Sequence, residues 1–139
     1  MTRIIHVLML LSLALAGGCA TTAPDDVVGG GTQLATRQIQ TREYDTLDKP
    51  MTMRSVIATL QDLGFTIDHA DVDLGTITAT RLDEYTMRMT VTVVEKGNAR
   101  NAVRANARID ENSVTDPATY QDFFVVLDKA MFLTRNKVD

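Results

Sequence analysis

The residues able to do covalent or acid–base chemistry are few and scattered. The chain has one cysteine, Cys19, and two histidines, His6 inside an apolar N-terminal run and His69 well beyond it. Ser55 falls within a helical apolar pattern and Ser113 among loop residues, and neither has the glycine-flanked setting that presents a nucleophilic hydroxyl. No Ser/His/Asp or Cys/His constellation is expected, so the chain is not read as an enzyme. Asp68, His69, Asp71 and Asp73 crowd potential metal ligands together. A calcium loop started at Asp71 needs glycine at its sixth position and glutamate at its twelfth, but Gly75 falls fifth and Leu82 twelfth. A turn between strands accounts for the same residues, because Asp and Gly favour turns for backbone reasons. Met51, Met53, Met87 and Met89 suggest soft-metal ligation by type, yet their spacing puts most of them on buried faces, where methionine fills gaps. No metal and no cofactor are expected.

Cys19 has the most informative context. Residues 1–18 read as an export signal, with a basic start at Arg3, an apolar run from Ile4 to Ala16 and small residues before the cysteine. That run is shorter than the ~20 apolar residues a spanning helix needs. Leu15-Ala16-Gly17-Gly18-Cys19 resembles the lipobox of bacterial lipoproteins. The resemblance implies cleavage before Cys19 and a diacylglycerol on its sulfur. Each buried acyl CH₂ contributes ~0.8 kcal/mol, so two or more chains hold a protein at a membrane stably. Ala20, where Asp would mark the alternative destination, resembles the sorting pattern for the outer membrane of a double-membraned bacterium. The expected location is the periplasmic face of that membrane.

Without Arg3 the mature chain has 13 basic residues against 18 acidic ones, a net charge near −5. No Lys/Arg block marks a nucleic-acid partner or an anionic lipid surface. From Ala20 to Gln33 the composition is Thr, Asp and Gly with no apolar period, which predicts a flexible tether over residues 19–36. Such a segment holds its domain on the order of 20 Å from the anchor. Residues 37–135 then suffice for one small domain.

Those residues must position whatever site exists. Weak alternation from Leu34 to Asp45 predicts an edge strand. Met53, Val56, Ile57, Leu60 and Leu63 recur at helical spacing, with Asp48 as N-cap, Pro50 in the first turn, and Gly64 and Phe65 forming the stop. Two short strands follow, around Phe65–Asp68 and Thr76–Thr80. Tyr85, Met87, Met89, Val91 and Val93 then face one way along a long strand, as do Val103, Ala105, Ala107 and Ile109 along its partner. Asp116 and Pro117 start a second helix, whose apolar face includes Tyr120, Phe123, Phe124, Leu127 and Met131. The fold expected is α+β: a single mostly antiparallel sheet in β-α-β-β-β-β-α order with two helices on one face.

Inward residues are odd-numbered on both hairpin strands, so the loop must have odd length. A loop of Lys96 to Asn98 opposes Val91 to Val103 and Arg88 to Asn106, whereas a loop of Gly97 to Ala99 sets Arg88 against Arg108. Like charges opposed on a sheet cost a few tenths to ~1 kcal/mol, which favours the first register, with Asn98 left-handed. Arg88, Arg104 and Arg108 then share the outer face as candidate partner-binding residues.

The element order, behind a lipobox and a tether, resembles the helix-grip domains of BamC-like outer-membrane lipoproteins. The segments that carry the resemblance are Val56-Ile57-Ala58-Thr59-Leu60-Gln61-Asp62-Leu63-Gly64-Phe65 and Leu74-Gly75-Thr76-Ile77-Thr78-Ala79. They are fold-forming residues and imply no site. Two functions fit. One is a non-catalytic, membrane-tethered accessory or protein-binding module in the periplasm. The other is a carrier with an apolar ligand between helices and sheet, which requires a cavity of ~300 Å³ or more lined by Met, Phe and Val.

Overall fold

The computed structural model of the chain describes residues 26–136, with side chains from residue 33 onward. The elements in order are α1 (Asp26–Ile39), β1 (Thr41–Tyr44), α2 (Lys49–Asp62), β2 (Thr66–Asp71), β3 (Thr76–Leu82), β4 (Thr86–Lys96), β5 (Arg100–Ile109), β6 (Asn112–Ser113) and α3 (Pro117–Asn136). The strands form one antiparallel sheet in the order β1-β5-β4-β3-β2, with β6 also paired to β5. It is an α+β fold with helices packed on the sheet.

Local chemistry sets the helix ends. Asp48 caps α2 by accepting the Met51 N–H at 2.8 Å, and Pro50 occupies the first turn, where a missing N–H costs nothing. At the other end the Phe65 N–H reaches Leu60 O at 2.9 Å and the Gly64 N–H reaches Gln61 O at 3.0 Å, the paired bonds of a Schellman stop. Gly64 is the left-handed residue, with φ 80°. In α3, Asp116 accepts the Ala118 N–H at 3.2 Å, beside Pro117.

The core lies between the sheet and the pair α2–α3. Met53, Val56 and Leu60 from α2 and Tyr120, Phe123, Phe124, Leu127 and Met131 from α3 are buried against Ile77, Ala79, Met87, Met89, Val91, Val93, Val103, Ala105 and Ala107. Each large aliphatic or aromatic side chain so buried contributes ~1.5 to 3 kcal/mol. Tyr120 is fully buried and its hydroxyl is fully used: it donates to Val114 O at 2.7 Å and accepts from the Ala107 N–H at 3.2 Å and Gln40 Nε2 at 3.0 Å. Asn101 is also fully buried on the inward face of β5 and donates to Thr52 Oγ1 at 3.1 Å.

Three expectations are corrected. A third helix, α1, occupies Asp26–Ile39, where the later part of the tether and the start of the edge strand were expected, and the strand shrinks to Thr41–Tyr44. Gln33, Leu34, Ala35, Arg37 and Gln38 are moderate to good helix formers that offset the glycines before them. Contacts at the C-terminal end, where Ile39 packs on the core, also favour the helix. Residues 1–25, with the signal and lipid-attachment expectations, lie outside the described residues. Tyr85 precedes β4 and is 44% exposed rather than core.

The third correction is the hairpin register. Lys96 opposes Arg100, so the loop is Gly97 to Ala99, and Val93 opposes Val103 while Arg88 opposes Arg108. The loop length is odd as parity demands, but Gly97, not Asn98, is left-handed, with φ 62°. A left-handed conformation costs a residue with Cβ about 1 to 2 kcal/mol, somewhat less for Asn, and nothing for Gly. That difference can outweigh the like-charge cost of at most ~1 kcal/mol.

Gly75 bears the tightest backbone approach, since a Cβ there would lie 2.3 Å from Val93 O and 2.7 Å from Lys49 Cε, at φ 72°. At Gly64 the nearest atom to an added Cβ is Arg81 Cδ, at an ordinary 3.6 Å. Gly64→Ala should therefore cost only the penalty of a left-handed alanine, about 1 kcal/mol, and Gly75→Ala about 3 kcal/mol because steric overlap adds to it. Urea denaturation midpoints of the two variants measure the difference. Equal midpoints would contradict the assignment of Gly75 to a close approach.

Candidate protein-binding face of the sheet

Alternation divides every strand between the helix-covered face and an open outer face. On the open face, cross-strand partners align in rows: Thr80, Arg88, Arg108 and Ser113 in one, Thr78, Thr90 and Asn106 in the next, and Thr76, Thr92, Arg104 and Thr41 in a third. Arg88, Arg104 and Arg108 are all exposed on this face. The structure brings two of them together. Arg88 and Arg108 are direct cross-strand partners, while Arg104 lies four residues along β5 from Arg108, about 13 Å away at strand rise. Arg104 Nε donates to Thr41 Oγ1 at 3.3 Å.

Arg108 is held from one side. Its Nη2 donates to Glu111 O at 2.8 Å and to Glu111 Oε2 at 3.3 Å. Arg88 has no hydrogen-bonding or ionic partner among the described residues. A shallow open depression of about 620 Å³ around the pair is lined also by Thr78, Thr86 and Thr90 and by Asp110 and Glu111. Asp110 there has φ 51° and donates its N–H to Thr86 O at 3.2 Å.

Several charged groups elsewhere are paired. At the hairpin end, Glu43 accepts hydrogen bonds from Lys96 and from Arg100, and these bonds hold its carboxyl below the usual carboxylate range. On the helix-covered side, Arg42 and Tyr44 both bind Asp128 of α3, Tyr44 by a hydroxyl donated at 2.9 Å, and the Arg42 guanidinium lies 4.8 Å from the Phe124 ring centroid. Burial, then the hydrogen bond to Asp128, pushes the Tyr44 hydroxyl pKa well above its ordinary value. This cluster was missed in the sequence because β1 is too short to show alternation. The signal was the even-numbered pair Arg42 and Tyr44, opposite the inward Val103 and Asn101.

The acidic segment around His69 has structural employment. Asp68, at a bulge in β2, accepts from Thr80 Oγ1 at 2.6 Å, and Asp71 Oδ1 accepts the Leu74 N–H at 2.8 Å inside the turn. The Asp73 carbonyl accepts from Lys49 Nζ at 2.8 Å. Among the described residues no group of three or more His, Cys, Asp or Glu is placed to hold a metal ion. Ser55 is buried against Thr134, and Ser113 and His69 stand on strands β6 and β2 at opposite sides of the sheet. The space between helices and sheet is filled by core side chains exposed by at most 7%. A more apolar recess of about 240 Å³, lined by Tyr44, Met51, Met131 and Phe132 among others, opens at the edge of that layer.

Compared with known proteins, the chain matches no family model and no curated sequence.

A tyrosine whose pKa is raised by folding binds its proton more tightly in the folded state. Its contribution is whole below the unfolded value of ~10 and is lost as pH rises through the folded value. The unfolding free energy should therefore fall above about pH 10, and Tyr44→Phe should flatten that fall while costing about 1 kcal/mol at neutral pH. Urea titrations from neutral to alkaline pH measure both. A variant with an unchanged alkaline slope would contradict the role given to Tyr44.

Proposed function

We propose that this chain is a non-catalytic envelope lipoprotein, held by acyl chains on Cys19 at the periplasmic face of an outer membrane, that binds a protein partner through the outer face of its sheet. The observation that carries the binding role is the open face itself: Arg88 and Arg108 are opposed across two strands, and Arg88 is unpaired among the described residues in a chain of net charge −4. Like-charge opposition has a cost of up to ~1 kcal/mol that an acidic partner would reverse. The anchor rests on Leu15-Ala16-Gly17-Gly18-Cys19. Among the described residues no helix is long and apolar enough to cross a membrane. The carrier reading has less support, because the layer between helices and sheet is filled by buried core side chains.

The test is affinity capture of the full chain from native membranes, with intact-mass analysis of the captured protein. The mass should include acyl chains, a protein should co-purify in fixed ratio, and Cys19→Ser should leave the membrane fraction. A soluble, unmodified wild-type protein, or a wild-type protein that co-purifies with nothing, would reject the reading.

A further inference from the structure

We propose that Arg88 and Arg108 form a two-pronged clamp for a single carboxylate side chain of the partner protein, and that Arg104 is not part of it. This deepens the reading of the chain as a protein-binding module and rests on it.

Directly opposed residues on antiparallel strands have Cβ atoms about 5 Å apart. Two guanidinium groups rising from such a pair can reach one ligand between them. Arg108 is already oriented, because Glu111 engages only its Nη2 and leaves Nε and Nη1 unspent. Arg88 has all its donors unspent among the described residues, and the hydroxyls of Thr86 and Thr90, two residues to either side of it along β4, engage no described side chain. A carboxylate offers two oxygens with about four lone-pair sites, which can take a donor from each arginine and a hydroxyl from a flanking threonine. The lining of the depression chooses among anions. Asp110 and Glu111 belong to it, so the local charge of the four groups balances to zero before a ligand arrives. With that balance, a ligand of one negative charge held between the two guanidinium groups meets less repulsion from Asp110 and Glu111 than a ligand of two. A phosphate, at −1.5 to −2 near neutral pH, or an anionic lipid surface meets those two carboxylates and an acidic domain as well. Arg104 is excluded by distance along β5 and by its own bond to Thr41.

The experiment uses the full lipidated chain in neutral detergent micelles, with arginine Nε–Hε resonances followed by NMR. The probes are a blocked glutamate tetrapeptide, the same peptide with glutamine, inorganic phosphate, and phosphatidylglycerol vesicles. The Arg88 and Arg108 resonances should move together with the glutamate peptide while Arg104 stays fixed, and glutamine in the peptide should weaken binding by roughly fivefold or more. Arg88→Lys, which keeps charge but loses the planar fork, should weaken it by roughly threefold, and Arg104→Gln should change nothing. Equal movement of Arg104, no movement at all, or tighter binding of phosphate or vesicles than of the glutamate peptide would overturn the clamp. Capture from membranes separates the two proposals. Partners retained by an Arg88→Gln/Arg108→Gln double variant would reject the clamp and leave the module reading intact. A wild-type chain that captures nothing would reject the module reading, with the peptide titration still deciding whether the clamp binds carboxylate.

Discussion

The outer face of this protein depends on one constraint, the pairing of β4 with β5 around the Gly97 turn. Two registers keep Met89, Val91, Val93, Val103, Ala105 and Ala107 inward, because a slip by one cross-strand pair preserves parity. They differ in the turn and in the charges that meet outside. Placing the left-handed residue at glycine avoids a Cβ penalty of about 1 to 2 kcal/mol, and the like charges so opposed cost at most about 1 kcal/mol. Backbone conformation and surface electrostatics disagree here, and backbone conformation prevails. Glu111 then moderates the charge repulsion by engaging Arg108.

The rest of the fold holds that hairpin in place. Val93 donates to Gly75 O at 2.7 Å and Ala105 to Gln40 O at 2.9 Å, so each strand is tied to its outer neighbour near the register pair it sets. The Tyr120 hydroxyl joins α3 to β5, to the segment after β6 and to the end of α1 through three bonds in a buried site. A buried hydroxyl with one donor and both acceptor positions used has no cheap alternative partner, which makes this a specific lock rather than a generic apolar contact. Asn101 gives a second polar tie, from β5 to the first turn of α2 through Thr52.

Much of this was legible in the residues. The α2 stop at Leu60, Gly64 and Phe65, the caps at Asp48 and Asp116, and the inward faces of β4 and β5 follow from local patterns whose physics is local. What escaped was non-local. The helix α1 is weak by composition at Gly29, Gly30 and Gly31, and its C-terminal support comes from packing of Ile39 on residues distant in sequence. The pairing of Arg42 and Tyr44 with Asp128 links positions more than 80 residues apart, which no window along the chain can show. All three outer arginines were placed on the correct face by parity alone. Their grouping was not, since it turns on a single register step.

The central claim is that step, and cross-strand proton contacts in solution test it most directly. Ala107 and Ala105 direct their N–H groups away from β4, to Tyr120 and to Gln40, so Met89 with Ala107 and Val91 with Ala105 are the closely spaced, non-hydrogen-bonded pairs. Nuclear Overhauser spectra of the full chain should show strong Hα–Hα contacts between Met89 and Ala107 and between Val91 and Ala105. Strong contacts of Met87 with Ala107 and of Val91 with Val103 instead would place Arg88 opposite Asn106 and contradict the account.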